Sequence, residues 1–274
     1  MATAAREFLV KYRLVFVVWA IVGFLVHLGL AIYFAPWTAK MGVANSPTRM
    51  VTRIIVDWWV FKLPFALLAM SIVAGRMKWL APRGRYQEGV KYPVFTTYTY
   101  VAIALCAALF AASGILSYEF FDLPAGPAAL SVTFFNPIIG FFTLWLGGVA
   151  RSLIFGTGNP VFWIFGQGAS DGSTWIFLGI FYWWFREETK YGKNPVLLII
   201  FWVVVYWIWR TVWMFDIWMW LNPVPALWAR LTWFFTQFLP SGTFGSLAGL
   251  IAAEALIRAV ERGHQTAQPA PPPA

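Results

Sequence analysis

"FWVVVYWIWRTVWMFDIWMWLNP", residues 201–223, decides the class of this protein. Apolar and aromatic side chains fill it, and Arg210 and Asp216 are its only charges. Together with "PVLLII" before it, the run exceeds the roughly 20 apolar residues that a helix needs to cross a bilayer. The whole chain follows suit. Of its 274 residues 60% are hydrophobic and 11% charged, with a mean hydropathy of +0.68, whereas soluble chains carry about 25% charge. The sequence therefore reads as an all-α polytopic integral membrane protein. Its 18 Trp and 26 Phe fit helices bordered by interfacial rings. The short alternating segments of a transmembrane β-barrel are absent.

Working outward, six spans are expected at about 14–34, 54–75, 94–116, 137–155, 195–221 and 242–260. Residues 1–13 form a cytoplasmic N-terminus, 225–240 a proline-bounded interfacial helix, and 261–274 a disordered Pro/Ala-rich tail. Asn-Pro pairs at 136, 159, 194 and 222 mark helix starts, because Asn caps and Pro tolerates the first turn. None is followed by Ala, which sets the chain apart from the Asn-Pro-Ala of aquaporins.

Residues 160–185 hold two apolar pieces around the polar centre Gln167–Thr174. They either cross or re-enter, since glycine-rich backbone in lipid needs partners; the charge balance of the flanking turns favours a re-entrant hairpin. The net charge of +9 sits in loops, above all at Arg76–Lys91. This is the positive-inside signature of an inner-membrane protein with a cytoplasmic N-terminus, not a nucleic-acid footprint. Membrane lipid and other membrane subunits are the expected partners. The single Cys106 is expected to pack as a small apolar residue.

Ionisable residues inside spans are functional candidates by default. Arg210 and Asp216, six residues apart on a helix, do not share a face. Arg210 is expected to stack on neighbouring indoles and to take a carboxylate or a bound anion. Arg53 and Asp57 are an i,i+4 pair, and Lys62 stands beside the kink of Pro64. Asp171 belongs to the tip of the expected hairpin. Glu254 has Arg258 at i+4 and is a charge partner for Arg210 on sign alone. Lys62, Asp57, Asp171, Arg210, Asp216 and Glu254 together form the candidate substrate or ion pathway. Gly245, Gly249 and Ala253, four apart, form a small-residue face for close helix packing.

The only histidines are His27 and His264, which excludes a bis-His haem or a multi-His metal site within this chain. "FLVHLGLAIYFAPW", residues 24–37, resembles the His-to-Trp portion of purple-bacterial light-harvesting α polypeptides. That resemblance implies His27 as the single axial ligand of a bacteriochlorophyll or a similar pigment. No catalytic constellation is spaced for hydrolysis. The sequence thus favours a non-catalytic or cofactor-contacting subunit of a larger redox or photosynthetic membrane complex. A small-solute or ion transporter is the alternative, and a membrane-embedded enzyme is third.

Overall fold

A computed structural model describes residues 2–38, 53–114, 122–156, 160–214 and 224–266. It is 86% helix, with no strand among the described residues. The α-helices are α1 (Ala2–Lys11), α2 (Arg13–Thr38), α3 (Leu63–Gly75), α4 (Thr97–Ser113) and α5 (Ala125–Leu130). They continue with α6 (Pro137–Phe155), α7 (Gly168–Glu188), α8 (Pro195–Met214), α9 (Val224–Trp233) and α10 (Leu239–Thr266). Four π-helical stretches interleave with them: Arg53–Lys62, Ser131–Phe135, Trp163–Gln167 and Phe234–Phe238.

The wide turns have a sequence cause. Three of the four stretches end two residues before a proline, namely Pro64, Pro137 and Pro240. Proline removes one N–H and its ring crowds the carbonyl four residues back. Widening the preceding turns relieves that crowding without ending the helix. At Pro137 the chain breaks instead. Asn136 is extended (φ −169°, ψ 165°), and its side chain caps α6 by accepting from Ile139 N at 3.0 Å. Asn194 caps α8 in the same manner, accepting from Val196 N at 3.0 Å.

Among the described residues four helices are long and apolar enough to cross a membrane: Trp58–Gly75, Pro137–Phe155, Pro195–Trp213 and Leu231–Gly263. Ala4–Lys11 and Arg13–Gly29, bent by 56°, make a fifth if taken as one span. The expected span 94–116 appears as α4, apolar but only 17 residues long. Two expectations about breaks are corrected. Residues 160–188 stay helical throughout, so no hairpin turn forms at Gly166–Thr174. The glycines there lie against neighbouring backbone, Gly172 against the Phe141 carbonyl and Gly168 against that of Trp145, so helix packing explains them. Likewise 224–266 is one helical run through Pro240, so the proposed interfacial helix continues into the last span.

The core is aromatic. Trp183, Trp202, Tyr182, Tyr206 and Phe141 are all essentially inaccessible. Outside, Leu14, Val18, Ile21 and Leu25 make one exposed apolar stripe on α2, and Val196, Ile200, Val204, Ile208 and Val212 make another on α8. Water would penalise such stripes; lipid tails accept them. Gly245 and Gly249 bring α10 against α5, where a Cβ would overlap the carbonyl oxygens of Asp122 and Gly126. Ala253 continues that face, fully buried.

Candidate functional site

The helices gather charge at two levels. On α7 the levels are marked by Asp171 and Arg186, fifteen residues or about 22 Å apart.

At the Arg186 level every principal charge is answered. Arg186, 3% exposed, bonds Glu187 at 2.7 Å, Glu254 at 2.7 Å and Glu261 at 3.0 Å. Glu187 also takes Arg83 at 2.7 Å and Lys78 at 2.9 Å. Burial alone would raise the Glu187 carboxyl, but Arg83, Lys78 and Arg186 overcome that and hold it at about 2. Arg83 lies 3.5 Å above the Trp183 ring and donates to the carbonyls of Thr133 at 2.7 Å and Phe134 at 3.2 Å. Those carbonyls are orphaned by the break at Asn136, so the basic loop after α3 works as a cap. A cavity of about 230 Å³ opens beside it. Its charged walls, Lys78, Arg83, Glu187 and Glu261, are already spent on ion pairs.

The Lys62 level is different. Lys62, Arg151 and Arg210 each stand about one turn inside the end of their span. Lys62, 2% exposed, donates to Ser170 Oγ at 2.6 Å, with its ammonium 5.8 Å from the Trp213 ring centre. Trp213 donates in turn to the Ser170 carbonyl at 3.4 Å. One turn back on α8 is Arg210, 7% exposed. It stacks on Phe238 at 4.9 Å rather than on the indoles of its own helix, as the sequence led one to expect.

Arg210 forms no ion pair among the described residues, and its Nε is buried without a hydrogen-bond partner. The Tyr206 hydroxyl, on the same face one turn earlier, is buried and equally unsatisfied. It is close enough to feel the charge of Arg210 and then of Asp122. Asp122, just before α5, feels Arg210 most, then Arg151, with Asp171 opposing. A Cβ on Gly242 would overlap the Tyr206 hydroxyl oxygen and lie 3.7 Å from Asp122 Oδ2. The absent side chain of Gly242 thus makes room for the Tyr206 hydroxyl, with Asp122 Oδ2 close by.

Of the pathway candidates, the structure brings Lys62, Asp171 and Arg210 to one level. Glu254 is at the other level, bonded to Arg186 and to the hydroxyl of Tyr182, with Arg258 at 3.7 Å; it does not meet Arg210. Asp216 and the side chain of Asp57 lie outside the described residues. His27 stacks on Phe61 at 4.4 Å, with both ring nitrogens buried. No metal-ligand cluster exists among the described residues.

Sequence reasoning missed Asp122, Arg151, Tyr206 and Gly242 as site members. Only Asp122 carried a signal, as an acid beside Pro124. The chain matches no protein-family model, no curated protein and no solved structure.

Proposed function

We propose that this is a membrane transporter for a small anionic solute, which binds between Arg210 and Tyr206 at the Lys62 level. The single observation that carries the reading is Arg210. Among the described residues the Arg210 guanidinium closes no ion pair and its Nε has no hydrogen-bond partner, and a buried charge so placed is costly. Stacking on one ring offsets about 0.5–2 kcal/mol. Beside it stands the Tyr206 hydroxyl, within reach of Arg210 and with its own proton unanswered. A carboxylate or other oxyanion would satisfy both, since guanidinium forks match planar oxygens and charge-assisted bonds are the strong ones. Three of the four wide helical stretches also converge here. Lys62 and Phe238 are the last residues of two, and Gly168–Asp171 follow directly on a third. Such π-turns are frequent at functional sites. Most lysines and arginines stand at the Arg186 level, which makes that end cytoplasmic by the positive-inside rule and the anion site outward-facing.

The test is a titration of the protein in nanodiscs with acetate and with sulfate, followed by tryptophan emission, and then uptake of the binding anion into proteoliposomes. Saturable binding that Arg210→Gln weakens at least tenfold, with uptake lost in step, supports the reading. Unaltered affinity in that variant sinks it. Nanodiscs of zwitterionic lipid and of phosphatidylglycerol separate the two sources of such an anion. A site filled only by phosphatidylglycerol would make the protein a lipid binder and overturn transport.

The complex-subunit reading keeps one supporting observation. The exposed stripes of α2 and α8, together with Trp19 and Trp207, would suit a partner helix as well as lipid. Stoichiometric co-purifying polypeptides in mild detergent would favour it.

A further inference from the structure

Asp122 is the carboxylate that answers Arg210 only at a distance. Residues from four elements face it. From α8 come Arg210 and Tyr206, from α6 Arg151, and from α7 Asp171. From α10 come Gly242, where a Cβ would lie 3.7 Å from Asp122 Oδ2, and Gly245, which lies against the Asp122 backbone carbonyl. Asp122 supplies negative charge to two arginines without closing an ion pair on Arg210 among the described residues. An oxyanion held by Arg210 and Tyr206 would take over that duty and stand as a like charge beside Asp122. A carboxylate in that position favours its neutral form. Burial already pushes the Asp122 carboxyl up from its ordinary value, against the pull of Arg210 and Arg151.

We propose that Asp122 takes up one proton when an anion binds to Arg210, so that anion and proton move together. This rests on the anion-binding reading above. The step is a simple protonation: the carboxylate oxygen accepts a proton from solution, no other bond changes, and the charge of the bound anion is cancelled. Entry of a lone anion would leave its charge in a low-dielectric site, whereas the coupled step keeps the site's charge constant. Asp171 opposes Asp122 as a like charge and so assists the same protonation.

The experiment is calorimetric titration of the wild-type protein with acetate and sulfate, neither of which titrates near neutral pH, in two buffers of different ionisation enthalpy. Close to one proton taken up per anion is expected. Affinity should rise up to tenfold for each unit by which pH falls between the free and bound pKa values of Asp122. Asp122→Asn should bind the anion with a pH-independent affinity and no proton uptake, while Asp171→Asn, which removes a like charge beside Asp122, should move the uptake to lower pH without abolishing it. Should Asp122→Asn fail to fold, the wild-type stoichiometry and the Asp171→Asn control still decide. Anion binding without proton uptake overturns the coupling and leaves the anion site standing. Proton uptake that survives Asp122→Asn, or vanishes in Asp171→Asn, also overturns it. Absence of any anion binding overturns the site itself and the coupling with it.

Discussion

The two charged levels of this bundle are built from the same residue types and solved in opposite ways. At the Arg186 level, Arg83, Lys78, Arg186, Glu187, Glu254 and Glu261 close on one another at 2.7–3.0 Å. The π-stretch carbonyls before Asn136 are taken up by Arg83. At the Lys62 level Arg210 is also buried, yet among the described residues it meets a phenyl face, the Tyr206 hydroxyl and the more distant charge of Asp122, and closes no ion pair. A paired buried charge fixes a structure. An unpaired one holds free energy that a ligand can release. The contrast assigns architecture to one end and binding to the other.

The largest effect should come from breaking the closed network. Arg186→Met removes the central cation from Glu187 and Glu254, 11% and 13% exposed, and loss of one partner of a buried pair costs about 3–5 kcal/mol. Thermal unfolding in detergent should show a strongly lowered midpoint. Arg210→Gln should leave the midpoint unchanged or raise it, because it removes a buried charge that nothing pairs. A comparable loss in both variants would erase the distinction between the levels.

Next in size are the glycines of α10. Gly249→Ala drives a methyl into the Gly126 carbonyl, where backbone rather than a rotatable side chain must yield. Overpacking of this kind costs about 1–3 kcal/mol and should lower the midpoint without touching anion affinity. Gly242→Ala places its methyl on the Tyr206 hydroxyl, which closes the site. Anion affinity should fall at least tenfold with a smaller shift of the midpoint. Equal anion affinity in the two variants would break the assignment of Gly242 to the site.

The smallest effect is a pH dependence. Glu187 is held at about 2, below its ordinary carboxylate value of 4.5. A depressed carboxyl contributes stability that is fully present above the unfolded value and is lost as pH falls towards the folded one. The midpoint difference between wild type and Glu187→Gln should therefore be constant at neutral pH and shrink between about pH 4.5 and 2. A difference that stays flat through that window would mean the network does not depend on the Glu187 charge.

Much of the helical layout was legible in the chain. Pro64 and Pro137 announced where a helix must kink or break, and Asn136 and Asn194 where helices restart, because these effects are local to the backbone, whereas Pro240, read as the end of an interfacial helix, lies within one. The Gly245–Gly249–Ala253 face could be read as a packing face from spacing alone, though not as one that meets Gly126. Local reasoning failed at Gln167–Thr174. Its glycines and polar residues resemble a turn, yet α6 packs against its glycines and Trp209 and Trp213 of α8 donate to its backbone carbonyls. The same limit hid the partners of Glu254 and Arg210. Charge sign can propose a pair, but which helix end meets which depends on the direction of every intervening span.

By itself, then, the sequence determined an all-helical chain with several helices apolar enough to cross a membrane, and ionisable residues among them at Lys62, Asp171, Arg210 and Glu254. Composition and periodicity act residue by residue and need no partner. Only the tertiary structure decided that Glu254 is consumed by Arg186 while Arg210 is left with Phe238, Tyr206 and a distant Asp122. Pairing energy depends on separations of a few ångströms between chain segments tens of residues apart, and those are set by how whole helices pack.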